Sequence, residues 1–347
     1  MSTHTRLEDE LRQQGAVLAR RADAGAEAAE RAAALLKRED VRYLVVAARG
    51  SSDNAARYGQ YLLGSAVRLN VALAAPSLYA DPARAPDLGG AAAMAISQSG
   101  QSPDIVSVLA AARSQGRPTI AVTNDEGSPL ASEADVVVPL ATGPEESLAA
   151  TKTYVASLHA LVQLAQALAP DDERARGLAE LPKLLTAVVE EQLASRSRFD
   201  VLRDATRLTS VGRGVSFATA YETALKIREL AGITAEAFSP PDLLHGPIAA
   251  LTSGNWVWLT AGRDRQGQGA ELLATLRQRS VPAVVVAQSQ ALLDTADVAI
   301  PLPDGAPDWL AAFLAVVPGQ VAAFHLAELR GVEIDHPHGL SKVTLTH

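Results

Sequence analysis

Between residues 95 and 104 the chain reads Ala95-Ile-Ser-Gln-Ser-Gly-Gln-Ser-Pro-Asp104. Ser97, Gln98, Ser99 and Ser102 gather hydroxyl and amide donors at one place. An apolar run, Gly90 to Ile96, precedes them and reads as a buried strand, and Ile105 to Ala112 reads as the helix that follows. Pro103 suits the first helical turn and Ser102 the N-cap. Free backbone N–H groups and the positive end of the helix dipole would then face the loop, which makes an anion site. Neutral donors without a lysine suit a phosphomonoester held by hydrogen bonds, and Gly100 would let the backbone approach a ligand closely. An ordinary polar turn uses the same residue types.

Three further groups could move protons. Glu222, Lys226 and Glu229 are spaced four and three apart, so on a helix they share one face. Two carboxylates flanking an amine suit proton transfer at carbon, and the same spacing also describes a solvated Glu–Lys stripe. His245 lies in Ser239-Pro-Pro-Asp-Leu-Leu-His-Gly-Pro-Ile248, between prolines and a glycine. Its side chain titrates near neutrality and suits opening a sugar ring, or it is a loop histidine satisfied by backbone groups. Glu145 and Thr151 enter an apolar helix as substrate contacts or as caps. Lys342 sits in a tail, His336-Pro-His-Gly-Leu-Ser-Lys-Val-Thr344, where a lone lysine also serves as a solubilising charge. The histidines are scattered and no metal site is expected. The Gly-x-Gly-x-x-Gly fingerprint is missing, so no nicotinamide cofactor is expected either.

The elements that must position these residues come in two copies. Arg49, Gly50, Ser52 and Ala56 match Arg213, Gly214, Ser216 and Ala220, each 164 residues later, as do Arg113 with Arg277 and Pro118 with Pro282. Ala134-Asp-Val-Val-Val-Pro139 returns as Ala296-Asp-Val-Ala-Ile-Pro301. Short apolar runs (Tyr43–Ala47, Ala91–Ile96, Thr119–Thr123 and Val136–Leu140, then Leu208–Val211, Trp256–Thr260, Ala283–Ala287 and Val298–Leu302) alternate with helical patterns. Unbroken apolar strands separated by helices imply a parallel sheet covered on both faces, a doubly wound α/β fold, in tandem. The expected organisation is a helical arm (1–38), a first domain (39–169), a helical connection (170–200), a second domain (201–335) and a tail (336–347). The counterpart of the Ser-rich loop is Ala261-Gly-Arg-Asp-Arg-Gln266, so the anion loop belongs to the first copy alone.

Composition narrows the function class. The 347 residues are 48% hydrophobic and carry a net charge of −8 with no cysteine. A broad contact with nucleic-acid phosphates is not expected, and disulfides, thiolate metal sites and cysteine nucleophiles are excluded. The charged start (Arg6, Glu8, Asp9, Glu10) does not read as a signal peptide, and no apolar run reads as long enough to span a bilayer. A cytoplasmic protein with no membrane partner is expected.

Taken in order, Ala48-Arg-Gly-Ser-Ser52, Ser97-Gln-Ser-Gly-Gln-Ser102, Ser147-Leu-Ala-Ala-Thr-Lys152, Ala224-Leu-Lys-Ile-Arg-Glu229, Leu244-His-Gly-Pro247 and Leu340-Ser-Lys342 resemble the sugar isomerase (SIS) family. They are most similar to the isomerase half of glucosamine-6-phosphate synthases and to stand-alone deaminase-like relatives. The resemblance runs from about residue 40 to the end. It implies two flavodoxin-like SIS subdomains and a cofactor-free enzyme. Ser52, Ser97, Gln98, Ser99 and Ser102 would hold the phosphate and nearby hydroxyls. Glu229 would move a proton between C1 and C2, and Lys226 would support the C2 oxygen or form an imine. His245 would open the ring, reaching into a neighbouring subunit's site, and Lys342 would close over the open-chain sugar. Glu145 and the backbone near Ala149 would contact the C1–C2 end. A homodimer with shared sites follows from the same resemblance.

With no cysteine to hydrolyse glutamine, and a tail one residue shorter than the synthase pattern, the chain resembles the deaminase-like members. The expected reaction turns an amino-sugar phosphate, glucosamine 6-phosphate favoured, into a ketose phosphate and ammonia. The alternatives are a deglycase for fructosamine-type 6-phosphates and a non-catalytic sugar-phosphate-binding protein.

Overall fold

The structure, a computed structural model, describes residues 5–81, 84–264 and 266–335. Contacts divide these residues into two units. One comprises residues 13–146 and 150–183, and the other residues 5–12, 147–149 and 184–335. The chain begins with α1 (Arg6–Leu36) and continues as β1 (Tyr43–Ala48), α2 (Gly50–Ala66), β2 (Asn70–Leu73), β3 (Ala91–Ser97), α3 (Pro103–Ser114), β4 (Thr119–Thr123), α4 (Pro129–Ser132), β5 (Val136–Pro139), α5 (Lys152–Leu168) and α6 (Asp172–Ala194). The second copy follows as β6 (Arg207–Gly212), α7 (Val215–Ala231), β7 (Thr234–Phe238), α8 (Pro240–Leu244), β8 (Asn255–Ala261), α9 (Gln268–Gln278), β9 (Ala283–Ala287), α10 (Gln290–Leu293), β10 (Val298–Pro301) and α11 (Asp308–Leu329).

The two sheets have one topology. The first runs β2-β1-β3-β4-β5, and the second, read from its β7 edge, runs β7-β6-β8-β9-β10. All pairs are parallel. This is the flavodoxin-like order, in which strand order reverses between the first and third strands. Beside that reversal Ala48 pairs with Ile96, and in the second sheet Gly212 pairs with Thr260. The loops after the two central strands of each sheet therefore emerge side by side at the carboxyl edge.

The apolar runs become central strands because both faces are covered: β3 and β4 are buried along their whole length. The edge strands β2 and β7 carry no such run and alternate exposed with buried positions at their starts, which hid them from an apolar-run reading. Separate cores lie under the sheets. One is built around Ala93, Ala95, Ile105 and Val108, the other around Val257, Leu259, Val285 and Leu272.

Helix α11 corrects the expectation that no segment could span a bilayer. Its 22 residues are long and apolar enough by that test, yet its most apolar window is wholly buried inside the fold. An apolar helix with no polar stripe is what a buried position demands. It packs against α7. The approach is close enough that a Cβ on Gly319 would lie 2.5 Å from Thr223 Oγ1 and 2.9 Å from its Cγ2.

Arg21 is a buried cation without a carboxylate partner among the described residues. Arg21 on α1 contacts His159 Nδ1 on α5 and donates to Gln163 Oε1 (2.8 Å) and to the Pro139 carbonyl (3.3 Å). Burial pushes the Arg21 guanidinium down to about 10. His159 is held well below 6.5, first by burial and then by the neighbouring Arg21 charge.

Two outcomes follow from this packing. Gly319→Ala destabilises the protein by about 1–3 kcal/mol through overpacking, read as a lowered urea midpoint, and adding Thr223→Ala restores most of the loss. The unfolded chain protonates His159 near 6.5 and the folded chain does not. Stability therefore falls as pH drops below that value, and His159→Gln flattens the slope, measured as urea midpoints across pH 4.5 to 7.5.

Candidate functional site

At the reversal point of the first sheet two loops are tied together before any ligand arrives. Arg49 Nε and Nη2 donate to Asp104 Oδ2 at 2.9 and 2.8 Å, and Asp104 is buried. This pair joins the loop after β1 to the start of α3 and cancels the arginine's charge. What remains around it is largely neutral donors. Ser102 occupies the N-cap position of α3 with Pro103 behind it, but its hydroxyl makes no capping hydrogen bond. The side chains of Ser52, Gln98 and Ser102 have no hydrogen-bond partner among the described residues and are half-buried. Ser97 Oγ accepts from the Gly100 N–H (3.1 Å), and Ser99 Oγ accepts from the Gln101 N–H (3.3 Å). Both serines shape the loop and keep their own O–H free to donate. Gly100 has a different reason from the one expected. Its φ is +62°, and a Cβ there would collide with the Ser128 side chain, so internal packing requires the glycine.

The loop entering α5 is fixed by its own polar groups. Glu145 is buried and accepts from the N–H groups of Thr151 (2.9 Å) and Thr153 (3.2 Å) and from Thr153 Oγ1 (2.5 Å). Both Glu145 oxygens serve the first turn of α5, so in this structure the residue acts as a cap. Thr151 is the N-cap residue, and its buried hydroxyl has no partner. Lys152 Nζ donates to Gln13 Oε1 (2.8 Å) and to the Pro144 carbonyl (2.5 Å). In the other unit, Glu10 accepts from the backbone N–H of Ser147 (3.2 Å) and from its hydroxyl, while that hydroxyl also reaches the Ala149 carbonyl (3.0 Å). The side chains of α1 that hold this loop were missed by the sequence reading. The signal for Glu10 was a polar residue interrupting an apolar face, and exposed Gln13 gave none.

The acid–base candidates lie on α7. Lys226 and Glu222 are essentially inaccessible, at 1% and 0%, and Glu229 is 28% exposed. A solvated Glu–Lys stripe is therefore wrong here: the face that carries these residues turns inward. Lys226 Nζ donates to Glu229 Oε2 at 2.5 Å and lies 3.6 Å from Glu222 Oε1. An ammonium buried between two carboxylates is placed to hold Glu229 in position and is ill placed to attack a carbonyl as a free amine. Glu229 Oε1 keeps no partner among the described residues. His245 ends α8, with Gly246 at φ +144° behind it. It is exposed and makes no side-chain hydrogen bond among the described residues. The structure thus brings Glu222, Lys226 and Glu229 together, and the serines together. His245 makes no side-chain hydrogen bond with the α7 group among the described residues. Lys342 lies outside the described residues. Among those residues no group of three or more His, Asp or Glu side chains is arranged to hold a metal ion.

Comparison with known proteins follows this geometry. The SIS domain model matches residues 39–167 and 201–330. The chain is 30% identical over 321 residues to a glutamine–fructose-6-phosphate aminotransferase (isomerizing) of Leifsonia xyli subsp. xyli, covering 86% of this chain and 51% of that protein. It spans about half the length of the curated relatives it matches. Among solved structures, a candidate phosphosugar isomerase from Silicibacter pomeroyi DSS-3 is 30% identical with a TM-score of 0.79, covering 94% of this chain and 99% of that one. A glucosamine-6-phosphate deaminase from Thermotoga maritima shares the fold alone, with a TM-score of 0.76 at 22% identity over 99% of this chain and 100% of that one.

The buried triad sets an expected outcome for stability. Lys226→Met leaves the Glu222 carboxylate buried with one cation fewer and costs about 3–5 kcal/mol. The double variant Glu222→Gln/Lys226→Met regains most of that loss, both read from denaturant midpoints.

Proposed function

The chain belongs to the SIS-domain family, and on that premise we propose that it is a phosphosugar isomerase that deaminates an amino-sugar phosphate, with glucosamine 6-phosphate the favoured substrate. The observation that carries this reading is the half-exposed Glu229, gripped through one oxygen by buried Lys226 and left free at the other. A carboxylate so held is oriented for one proton and needs little reorganisation to take it.

The chemistry proceeds in balanced steps. His245 moves the proton that opens the hemiacetal. Glu229 Oε1 removes the C2 proton, giving an enolamine, and returns it at C1. The resulting C2 imine adds water, and ammonia leaves, so one water is consumed for each ketose phosphate formed. The phosphate is held at a distance by Ser52, Ser97, Gln98, Ser99 and Ser102. That remote binding pays for orientation at C2. Free hydroxyls in a loop where Arg49 is already neutralised by Asp104 support a phosphomonoester bound by hydrogen bonds.

The exposed, unpartnered His245 supports action across a subunit boundary in a homodimer, with Lys342 of the tail completing the closed site. Work in the cytoplasm is consistent with a cysteine-free chain.

The test is ammonia release from purified protein with glucosamine 6-phosphate, with fructose 6-phosphate assayed in parallel. The expected result is equal amounts of both, and a loss of at least about 100-fold in kcat for Glu229→Gln. Full turnover by that variant overturns the assignment of the base. Turnover of fructosamine 6-phosphate conjugates alone replaces the deaminase reading with the deglycase one.

A further inference from the structure

The second sheet has its own reversal point, and there the chain has built a cavity of about 240 Å³. Arg213, Ser216, Thr260, Arg263, Gln268 and Asp308 line it. Its location follows from the repeat, because Gly212 and Thr260 are paired as Ala48 and Ile96 are in the first sheet.

One change between the copies alters the charge of this place. Arg49 is neutralised by buried Asp104 in the first copy. The residues 164 positions later are Arg213 and Gln268, and Arg213 Nη1 donates to the neutral Gln268 Oε1. The hydrogen bond survives and the counter-charge is gone. Arg263 donates to the Gly305 carbonyl at 2.8 Å. Neither arginine has an ion-pair partner among the described residues, and both are exposed.

The acidic groups at the cavity have different situations. Asp264 turns both oxygens onto α9, accepting from the N–H groups of Gly269 (2.9 Å) and Ala270 (3.1 Å). It thereby occupies that helix end itself. Asp308 has no partner among the described residues, and its Oδ1 would lie 3.3 Å from a Cβ on Gly262. Thr260 is 1% exposed, and its hydroxyl has no hydrogen-bond partner among the described residues. The first copy has Ile96 at this position. A buried orphan hydroxyl costs free energy unless something satisfies it.

Two guanidinium groups without a counter-charge and an unpartnered carboxylate ask for a ligand with one anionic end and hydroxyls. The cavity suits a body the size of a monosaccharide phosphate. We infer that the second SIS copy holds a separate binding site for a phosphorylated sugar, its phosphate on Arg213 and Arg263 and its hydroxyls on Asp308. Among the described residues no lysine or histidine lines the cavity, and we assign it a binding role, as a sensor of sugar phosphate. It shares no residue with the serine loop or with α7's Lys226 and Glu229.

The test is calorimetric titration of the full chain with fructose 6-phosphate, with fructose as control. In Ser97→Ala/Ser99→Ala/Ser102→Ala, which disables the first loop, one site per chain persists. Adding Arg213→Gln and Arg263→Gln raises its Kd by about 10- to 100-fold or abolishes it. Arg213→Gln/Arg263→Gln alone removes one of two sites and leaves kcat at saturating substrate unchanged. Loss of all binding in the serine variant overturns the second site, as does binding that ignores the two arginine changes. If the serine variant still binds two equivalents, the serine-loop reading fails and this one stands or falls on the arginine variants alone.

Discussion

Parallel pairing between the first and third strands of each sheet is the constraint on which the rest depends. A parallel crossover must carry its helix over a face of the sheet. Where the winding direction changes, no helix covers the carboxyl edge. Ala48 beside Ile96, and Gly212 beside Thr260, fix the point at which two loops leave together. Polar side chains in those loops face each other without any long-range folding device. The Arg49–Asp104 pair exploits this adjacency, since its partners are 55 residues apart in sequence and meet only because β1 and β3 are neighbours.

The repeat gave the protein two such edges and freedom to use them differently. The first kept its arginine neutralised and surrounded it with serines and glutamine. The second lost the aspartate and the serines, and its helix α7 acquired a buried Glu–Lys–Glu cluster. Burying Lys226 and Glu222 is expensive unless they hold one another, and the arrangement leaves a single half-exposed carboxylate oriented outward. A helix can carry that cluster because α11, mostly apolar, packs so closely on α7 that Gly319 has no room for a side chain.

Helix α1 is more than a leading arm. Glu10 fastens Ser147, Gln13 receives Lys152, and Arg21 is buried against His159 and Gln163. The loop that enters α5 is thereby held from within each unit by side chains more than a hundred residues away in sequence. Glu145 adds a local tether by capping α5.

The sequence by itself determined the architecture and the repeat. Short apolar runs separated by helical patterns read as strands covered on both faces, and a fixed offset of 164 residues points to two copies of one unit. It also determined where the serine loop lies, because Pro103 and Ser102 mark a helix start directly after a strand. The edge strands β2 and β7 escaped because half-exposed strands carry no continuous apolar run. Only the tertiary structure decided the states of the side chains. Spacing placed Glu222, Lys226 and Glu229 on one face, but which way that face turns depends on α11, which lies about ninety residues further on. That Glu145 caps the first turn of α5 was visible only once that turn was seen to fold over it. Local sequence sets which residues share a face or a turn. Burial, and with it the cost of leaving a charge unpaired, is set by what packs from elsewhere in the chain.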